Sequence, residues 1–255
     1  MDINLNADLG ESFGAWRMGD DRALLAIVGS ANVACGFHAG DPLVMTETVR
    51  LAREAGVSLG AHPAFPDLQG FGRREMRLSP RELAAVLTYQ VGALIGIAQS
   101  QGQRVSHVKP HGAMNNMACE NAAMAATIAA AVKAIDPQLI LLAPALSELA
   151  TAGRAAGLRV ADEVFADRAY TDAGNLLPRS VPGAVLHDSA DCLAHVQRML
   201  ERGGIVALSG KLLPCRFHSI CVHGDSAHAV ATAAAVRNGL LAAGHRLKPL
   251  PEFFS

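Results

Sequence analysis

No secretion signal is expected, and the chain has no thiol framework and no excess of either charge. Its first residues, MDINLNADLG, turn acidic and polar at once and lack the basic start and apolar stretch of a leader peptide. Five cysteines, at 35, 119, 192, 215 and 221, are irregularly spaced with no CxxC pair, which argues against a disulfide scaffold and for reduced thiols in a cytoplasmic protein. No run of 18 uncharged apolar residues is apparent, so no membrane span is expected. Lys and Arg number 22 against 23 Asp and Glu, which gives no support for a nucleic-acid or anionic-membrane partner. Aromatics make up only 4% of the chain. Two nucleotide-binding signatures are also missing: there is no GxGxxG after the first expected strand and no GxxxxGK[ST] loop. The LSGK at 208–211 lacks the upstream glycine and final Ser or Thr of a phosphate-binding loop.

What is present is ample apolar sequence, 51% of 255 residues, in a rhythm of short strand, loop and helix. Strands are expected at 2–7, 31–35, 57–61, 105–108, 139–143, 158–164, 204–209 and 219–222, with an extra strand or extended loop at 181–185. Helices are expected at 42–55, 79–101, 120–135, 146–156, 189–201 and 225–243. Asp41-Pro42 and Gly56 punctuate the first, and Ser79 with Glu82 forms a capping box for the second. Seven or eight strands alternating with helices call for a largely parallel sheet covered by helices. In a closed (β/α) barrel, polar site residues collect beyond the C-terminal ends of strands. Asp8, His38, His62, Lys109, His111, Glu163, His223 and Asp225 fall at such places.

NADLGESFG (6–14) sets Asn6 and Asp8 two apart, hence on one side of a strand, with Glu11 just beyond. Neighbouring carboxylates tune one another's acidity and suit general acid–base work. ACGFHAGDP (34–42) carries His38, while Asp41 is read as a helix cap. GAHPAFPD (60–67) and GFGRRE (70–75) supply His62 and the pair Arg73–Arg74, whose guanidinium forks could clamp a carboxylate or phosphoryl group. HVKPHGAMNN (107–116) places Lys109 and His111 two apart, with His107 directed into packing or against a helix. EVFADRAY (163–170) offers Glu163, with Asp167 and Arg168 read as a structural ion pair. CVHGD (221–225) offers His223 and Asp225, either a base with its orienter or a histidine followed by a helix cap. Asp and His residues from separate strands could bind a divalent ion, but no HExxH anchors such a site and no metal is expected.

Taken together, LNADLGESFG, NVACGFHAGDP, GAHPAFPD with GFGRR, VKPHGAMNN, EVFADRAY and CVHGD resemble the LamB/YcsF family over nearly the whole chain. Two positions differ from that family's usual pattern, Asn4 in the first motif and Asn115 where a tyrosine is usual. The resemblance implies one domain over 1–255, a distorted seven-stranded (β/α) barrel related to glycoside hydrolase and deacetylase barrels. It implies opening of the lactam of 5-oxo-L-proline to L-glutamate, coupled to hydrolysis of ATP, in a complex with subunits B and C. In that scheme Asp8, His62, Lys109 and His111 are the expected catalytic residues. Asn6, Glu11, His38, Arg73, Arg74, Glu163 and His223 are expected at the substrate. Two other readings are a stand-alone metal-dependent deacetylase or amidohydrolase and a non-catalytic partner-binding protein.

Overall fold

The architecture comes from a computed structural model that describes residues 1–225 and 228–254. Seven parallel strands close on themselves: β1 (Asp2–Leu9), β2 (Ser30–Ala34), β3 (Ser58–His62), β4 (Val105–Val108), β5 (Ile140–Pro144), β6 (Arg159–Phe165) and, after two strands outside the ring, β9 (Ser219–Val222), which pairs back onto β1. The outside strands, β7 (Gly204–Val206) and β8 (Leu212–Pro214), form an antiparallel ribbon. A short β10 (Arg246–Leu247) adds alongside the start of β1. Around the ring lie α1 (Asp21–Leu25), α2 (Pro42–Ala55), α3 (Pro80–Ser100), α4 (Gly112–Glu120), α5 (Ala122–Ile135), α6 (Glu148–Ala155), α7 (Ser189–Arg202) and α8 (Ala229–Ala242). The fold is a distorted (β/α) barrel of seven strands.

Local chemistry accounts for most element boundaries. Asp41 caps α2 by accepting from the amides of Leu43 and Val44, and Gly56 ends it in the left-handed conformation. The capping box at Ser79 and Glu82 opens α3 with both reciprocal bonds formed. Residues 83–100 carry no charge. By length and composition this helix could therefore cross a membrane, contrary to the expectation that no such run exists. In the fold its stripe of Leu83, Leu87, Val91, Leu94 and Ala98 is buried in the core.

One expected barrel strand is corrected, and one helix is added. The segment 204–209 is not a barrel strand: it turns back through Leu208–Gly210, with Ala207 donating to the Lys211 carbonyl, and pairs with its own continuation. Of the two readings for 181–185, the loop is the one found: Pro182 and Gly183 turn the chain, and the segment makes one isolated bridge, Val185 to Arg168. The helix α4, directly after Pro110, was not among the expected helices. The expected start of the last helix at 225–227 falls partly outside the described residues, and α8 begins at Ala229.

Barrel interiors are usually filled by branched apolar residues, but this lumen is polar. Asn4, Asn6 and Asp8 share one side of β1, as their spacing required. At the bottom, Asn4 donates to Ser30 and accepts from Ser219. In the middle, the Asn32 amide donates to Asn6 Oδ1 (2.7 Å) and Asp8 Oδ1 (2.9 Å), and its oxygen accepts from His107 Nε2 (3.0 Å). His107 is therefore buried in the packing of the lumen, and of its two expected placements the one against a helix is not found. Its ring fits because Gly60, its partner in register, has no side chain; a Cβ there would lie 2.1 Å from His107 Nε2. Burial, together with the charges of Lys109 and His62, pushes the His107 pKa down to about 3, so the ring is neutral. Gly60→Ala is expected to destabilise the fold by about 1–3 kcal/mol through overpacking. The urea midpoint should fall, and the double variant G60A/H107A should recover part of the loss.

Candidate active site

The C-terminal ends of the strands converge on a cavity of about 760 Å³. Asp8, His62, Lys109, His111, Arg73 and His223 line it, as do Asn115, Asn116, Phe165 and Arg179. Lys109 lines it and is itself buried. Its ammonium donates to Asp8 Oδ1 at 2.9 Å and Cys221 Sγ at 3.0 Å, and lies 3.2 Å from Glu163 Oε1. The Phe165 ring sits 5.2 Å beneath it. Burial alone would strip its proton, but Asp8, Cys221 and Glu163 outweigh that, and the pKa is raised well above the ordinary lysine value. Burial likewise pushes the Asp8 carboxyl up, yet His62 and Lys109 hold it well below the usual carboxylate range. The two therefore form an ionised pair inside the barrel. Glu163 behaves oppositely: burial raises its pKa, which Lys109 only partly offsets, and among the described residues its Oε2 has no hydrogen-bond partner. Asn6 donates to Glu163 Oε1 at 2.8 Å, tying the middle of the lumen to this layer.

Beside the ion pair stands a group of histidines. His62, at the end of β3, places Nδ1 2.7 Å from the Lys109 carbonyl and Nε2 3.4 Å from Asp8 Oδ2. His111 caps the start of α4; its Nε2 lies 2.9 Å from the Phe71 carbonyl and its Nδ1 2.9 Å from His62 Nε2. His38 stacks on His111 at 3.9 Å between ring centroids, and its Nε2 lies 3.2 Å from Glu11 Oε1. Burial pushes the pKa of His38 and of His111 well down and that of Glu11 well up. Glu11 and His38 lie behind His62 and His111 and do not line the cavity.

The loop between β3 and α3 closes over these rings. Phe71 has φ +55°, a conformation uncommon outside glycine, and this strained backbone carries the carbonyl that receives His111. Gly112, at φ +56°, allows the approach: a Cβ there would lie 2.6 Å from the Gly72 carbonyl. Arg73 reaches across to Asp225 at 2.6 Å and stays on the cavity wall. Arg74 does not reach the cavity; it binds Asp67 through Nε at 3.0 and 3.1 Å and anchors the base of the loop.

Ten of the eleven expected residues thus lie in or directly behind the cavity, Arg74 being the exception. Two smaller readings are corrected. Asp167 does not pair with Arg168 but holds His223 Nδ1 at 2.9 Å from both of its oxygens, while Arg168 donates to the carbonyls of Leu177 and Ala184. The orienter of His223 is therefore Asp167, and Asp225 serves Arg73. The sequence reading missed Arg179, which lines the cavity and makes no ion pair among the described residues. It sits in a Pro- and Ser-rich loop with no motif around it. It also missed Cys221 and Asn32, which strand alternation could have placed beside Asn6 and Asp8.

The sequence model of the LamB/YcsF family matches residues 3–255. The chain belongs to the LamB/YcsF family. It is 64% identical over 252 residues to the A subunit of a 5-oxoprolinase from Azoarcus sp. (strain BH72), covering 99% of this chain and 98% of the relative. The corresponding 5-oxoprolinase protein of Gluconobacter oxydans (strain 621H) is 53% identical, over 97% and 98% of the two chains. Among solved structures, a lactam utilization protein from Thermus thermophilus superposes with a TM-score of 0.91 at 45% identity, over 98% and 100% of the chains. The catalytic domain of a peptidoglycan N-acetylglucosamine deacetylase from Eubacterium rectale ATCC 33656 matches with a TM-score of 0.52 at 11% identity, over 98% and 88%, a likeness of fold alone.

The Asp67–Arg74 clasp gives a stability prediction. The Arg74 guanidinium holds the Asp67 carboxyl down at about 2, below its ordinary value of 3.8. A carboxyl depressed on folding stabilises above its unfolded pKa, and that contribution fades as pH falls through the folded one. Denaturant midpoints of the wild type and Asp67→Asn should differ fully at pH 5 and above and converge between about pH 4 and about pH 2. A gap independent of pH would show that the charge of Asp67 is not what anchors the loop.

Proposed function

We propose that this chain is the A subunit of an ATP-hydrolysing 5-oxoprolinase, which opens the lactam of 5-oxo-L-proline to L-glutamate in a complex with subunits B and C. One observation carries the reading: near-full-length identity to relatives bearing that name, with an ionised carboxylate–ammonium pair on the floor of the cavity. A lactam resists attack because its carbonyl is amide-stabilised and its nitrogen leaves poorly. Phosphoryl transfer from ATP to the amide oxygen, releasing ADP, turns that oxygen into a leaving group. Water then adds to the ring carbon, the C–N bond breaks, phosphate departs with a second water, and the nitrogen takes a proton to become the amine of glutamate.

The site's own groups suit these demands. Asp8 Oδ1 is committed to Lys109 and Asn32, leaving Oδ2 as the oxygen able to accept a proton from attacking water. Lys109 keeps its proton and so acts through charge, stabilising negative charge that develops on oxygen. His223, oriented by Asp167, has Nε2 left for proton exchange with the departing nitrogen. Arg73 and Arg179 give the cavity wall positive charge for the substrate carboxylate or a phosphoryl group. His62 and His111 hold the surroundings of Asp8. Asn6, Glu11, His38 and Glu163 support them from the lumen and from behind. Arg74 acts through the loop.

The cluster of Glu11, His38, His62 and His111 favours a second reading, a stand-alone metal-dependent amidohydrolase. Glutamate release from 5-oxo-L-proline, measured with and without B, C and ATP, separates the two: dependence on all three supports the first, and release by this chain alone supports the second. Within the complex, Asp8→Asn and Lys109→Met are each expected to lower kcat by about 10²–10⁴-fold. Arg179→Gln is expected to raise KM on the order of tenfold with a smaller effect on kcat. Wild-type turnover in Asp8→Asn would end its assignment as base. If all these variants impair assembly yet turn over normally once assembled, the chain is a partner-binding protein without chemistry of its own.

A further inference from the structure

Two hydrogen bonds fix the tautomers of His62 and His111. A backbone carbonyl only accepts, so His62 Nδ1, 2.7 Å from the Lys109 carbonyl, carries a hydrogen and leaves Nε2 as the nitrogen that can offer a lone pair when the ring gives up its second proton. By the same reasoning His111 Nε2, 2.9 Å from the Phe71 carbonyl, carries a hydrogen and leaves Nδ1 with a lone pair. These two nitrogens face each other at 2.9 Å. The contact holds only with a proton or another cation between them. A shared proton would serve two nitrogens only, and the place offers more donors than that. Glu11 Oε1 lies 3.5 Å from His111 Nδ1 and 3.2 Å from His38 Nε2, and the four donor atoms lie within 4.8 Å of one another.

We propose that Glu11, His38, His62 and His111 form a binding site for one divalent transition-metal ion. Three imidazoles and a carboxylate are a borderline donor set, suited to zinc, cobalt or iron and poorly suited to magnesium or calcium. With metal–ligand bonds of about 2.0–2.2 Å, tetrahedral donors stand about 3.4 Å apart, so the His62–His111 contact need open by only about half an ångström. The donors come from the ends of four consecutive strands: Glu11 after β1, His38 after β2, His62 at the end of β3 and His111 after β4. Ligand histidines commonly donate their other N–H to an outer partner that fixes the ring. Here those partners are the carbonyls of Lys109 and Phe71, the latter aimed by a left-handed backbone. All four residues are buried, and His62 and His111 also line the cavity, so an ion held here would adjoin the substrate space. The inference rests on donor geometry and does not depend on which amide the enzyme opens.

The test uses the full chain, stripped with a chelator, dialysed and titrated with Zn²⁺ and separately with Co²⁺. Uptake of one equivalent per chain is expected, with visible ligand-field absorption for Co²⁺ and a rise in Tm on adding Zn²⁺. Glu11→Gln and His38→Ala, neither on the cavity wall, should each weaken Zn²⁺ binding by at least about tenfold. His195→Ala, at a buried histidine outside the cluster, should bind as the wild type does. Failure of the stripped wild type to take up Zn²⁺, or equal uptake by wild type, E11Q and H38A, overturns the site. Equal uptake would place the ion on thiols or surface groups. If His38→Ala does not fold by far-ultraviolet circular dichroism, the near-isosteric Glu11→Gln decides the outcome alone.

Discussion

A buried ammonium organises this barrel. An uncompensated charge inside a protein is costly enough that the group would neutralise, so a charged Lys109 requires anionic and polar partners on every side. Asp8 and Glu163 provide them from β1 and β6, and the thiol of Cys221 from β9. Those partners need partners in turn. Asn32 fixes Asp8 and Asn6, Asn6 fixes Glu163, and His107 fixes Asn32. The requirement thus propagates down the lumen and explains why this barrel holds asparagines, serines and a histidine where branched apolar side chains are the rule. The apolar core is displaced outward, into the layer between strands and helices, where Leu5, Val33, Leu87, Leu141 and Val236 lie buried.

The second constraint is the loop between β3 and α3. It is not a passive cover. The clasp of Arg74 on Asp67 fixes its base, and the left-handed Phe71 turns its carbonyl onto His111. The Phe71 ring stands edge-on to both His38 and His111, and the Arg73 guanidinium lies 4.9 Å from that ring and reaches to Asp225. One short segment therefore sets the tautomer of a histidine, packs two rings and positions a cavity arginine. A strained residue at such a junction is where stability is traded for orientation.

The sequence made the strand-end rule legible because barrel chemistry gathers at one end and the chain repeats its strand–loop–helix unit clearly. Asn6 and Asp8 could be placed inside from spacing alone. The same parity was available for His107, two residues before Lys109, and Gly60 in the middle of a strand marked the space its ring fills. Periodicity could not separate a barrel strand from the ribbon strand at 204–206, since both are short apolar runs; what decides is the turn at 208–210. Partners between distant loops were equally out of reach. Asp167 looked matched to its neighbour Arg168, but the fold sets it against His223, 56 positions away, and brings Arg179 to the wall from a loop with no motif.

Asp8 links the two halves of the site. One carboxylate oxygen belongs to the lumen network through Lys109 and Asn32; the other faces His62 and, through it, the facing nitrogens of the histidine cluster. Charge placed among the histidines is felt at Asp8, and charge changed at Asp8 is felt at Lys109, with little water between to screen it. The deacetylase likeness extends to the fold and no further, and a fold of this kind hosts many chemistries. In this chain the ammonium and the histidine cluster share one carboxylate, so neither can be altered without changing the electrostatics of the other.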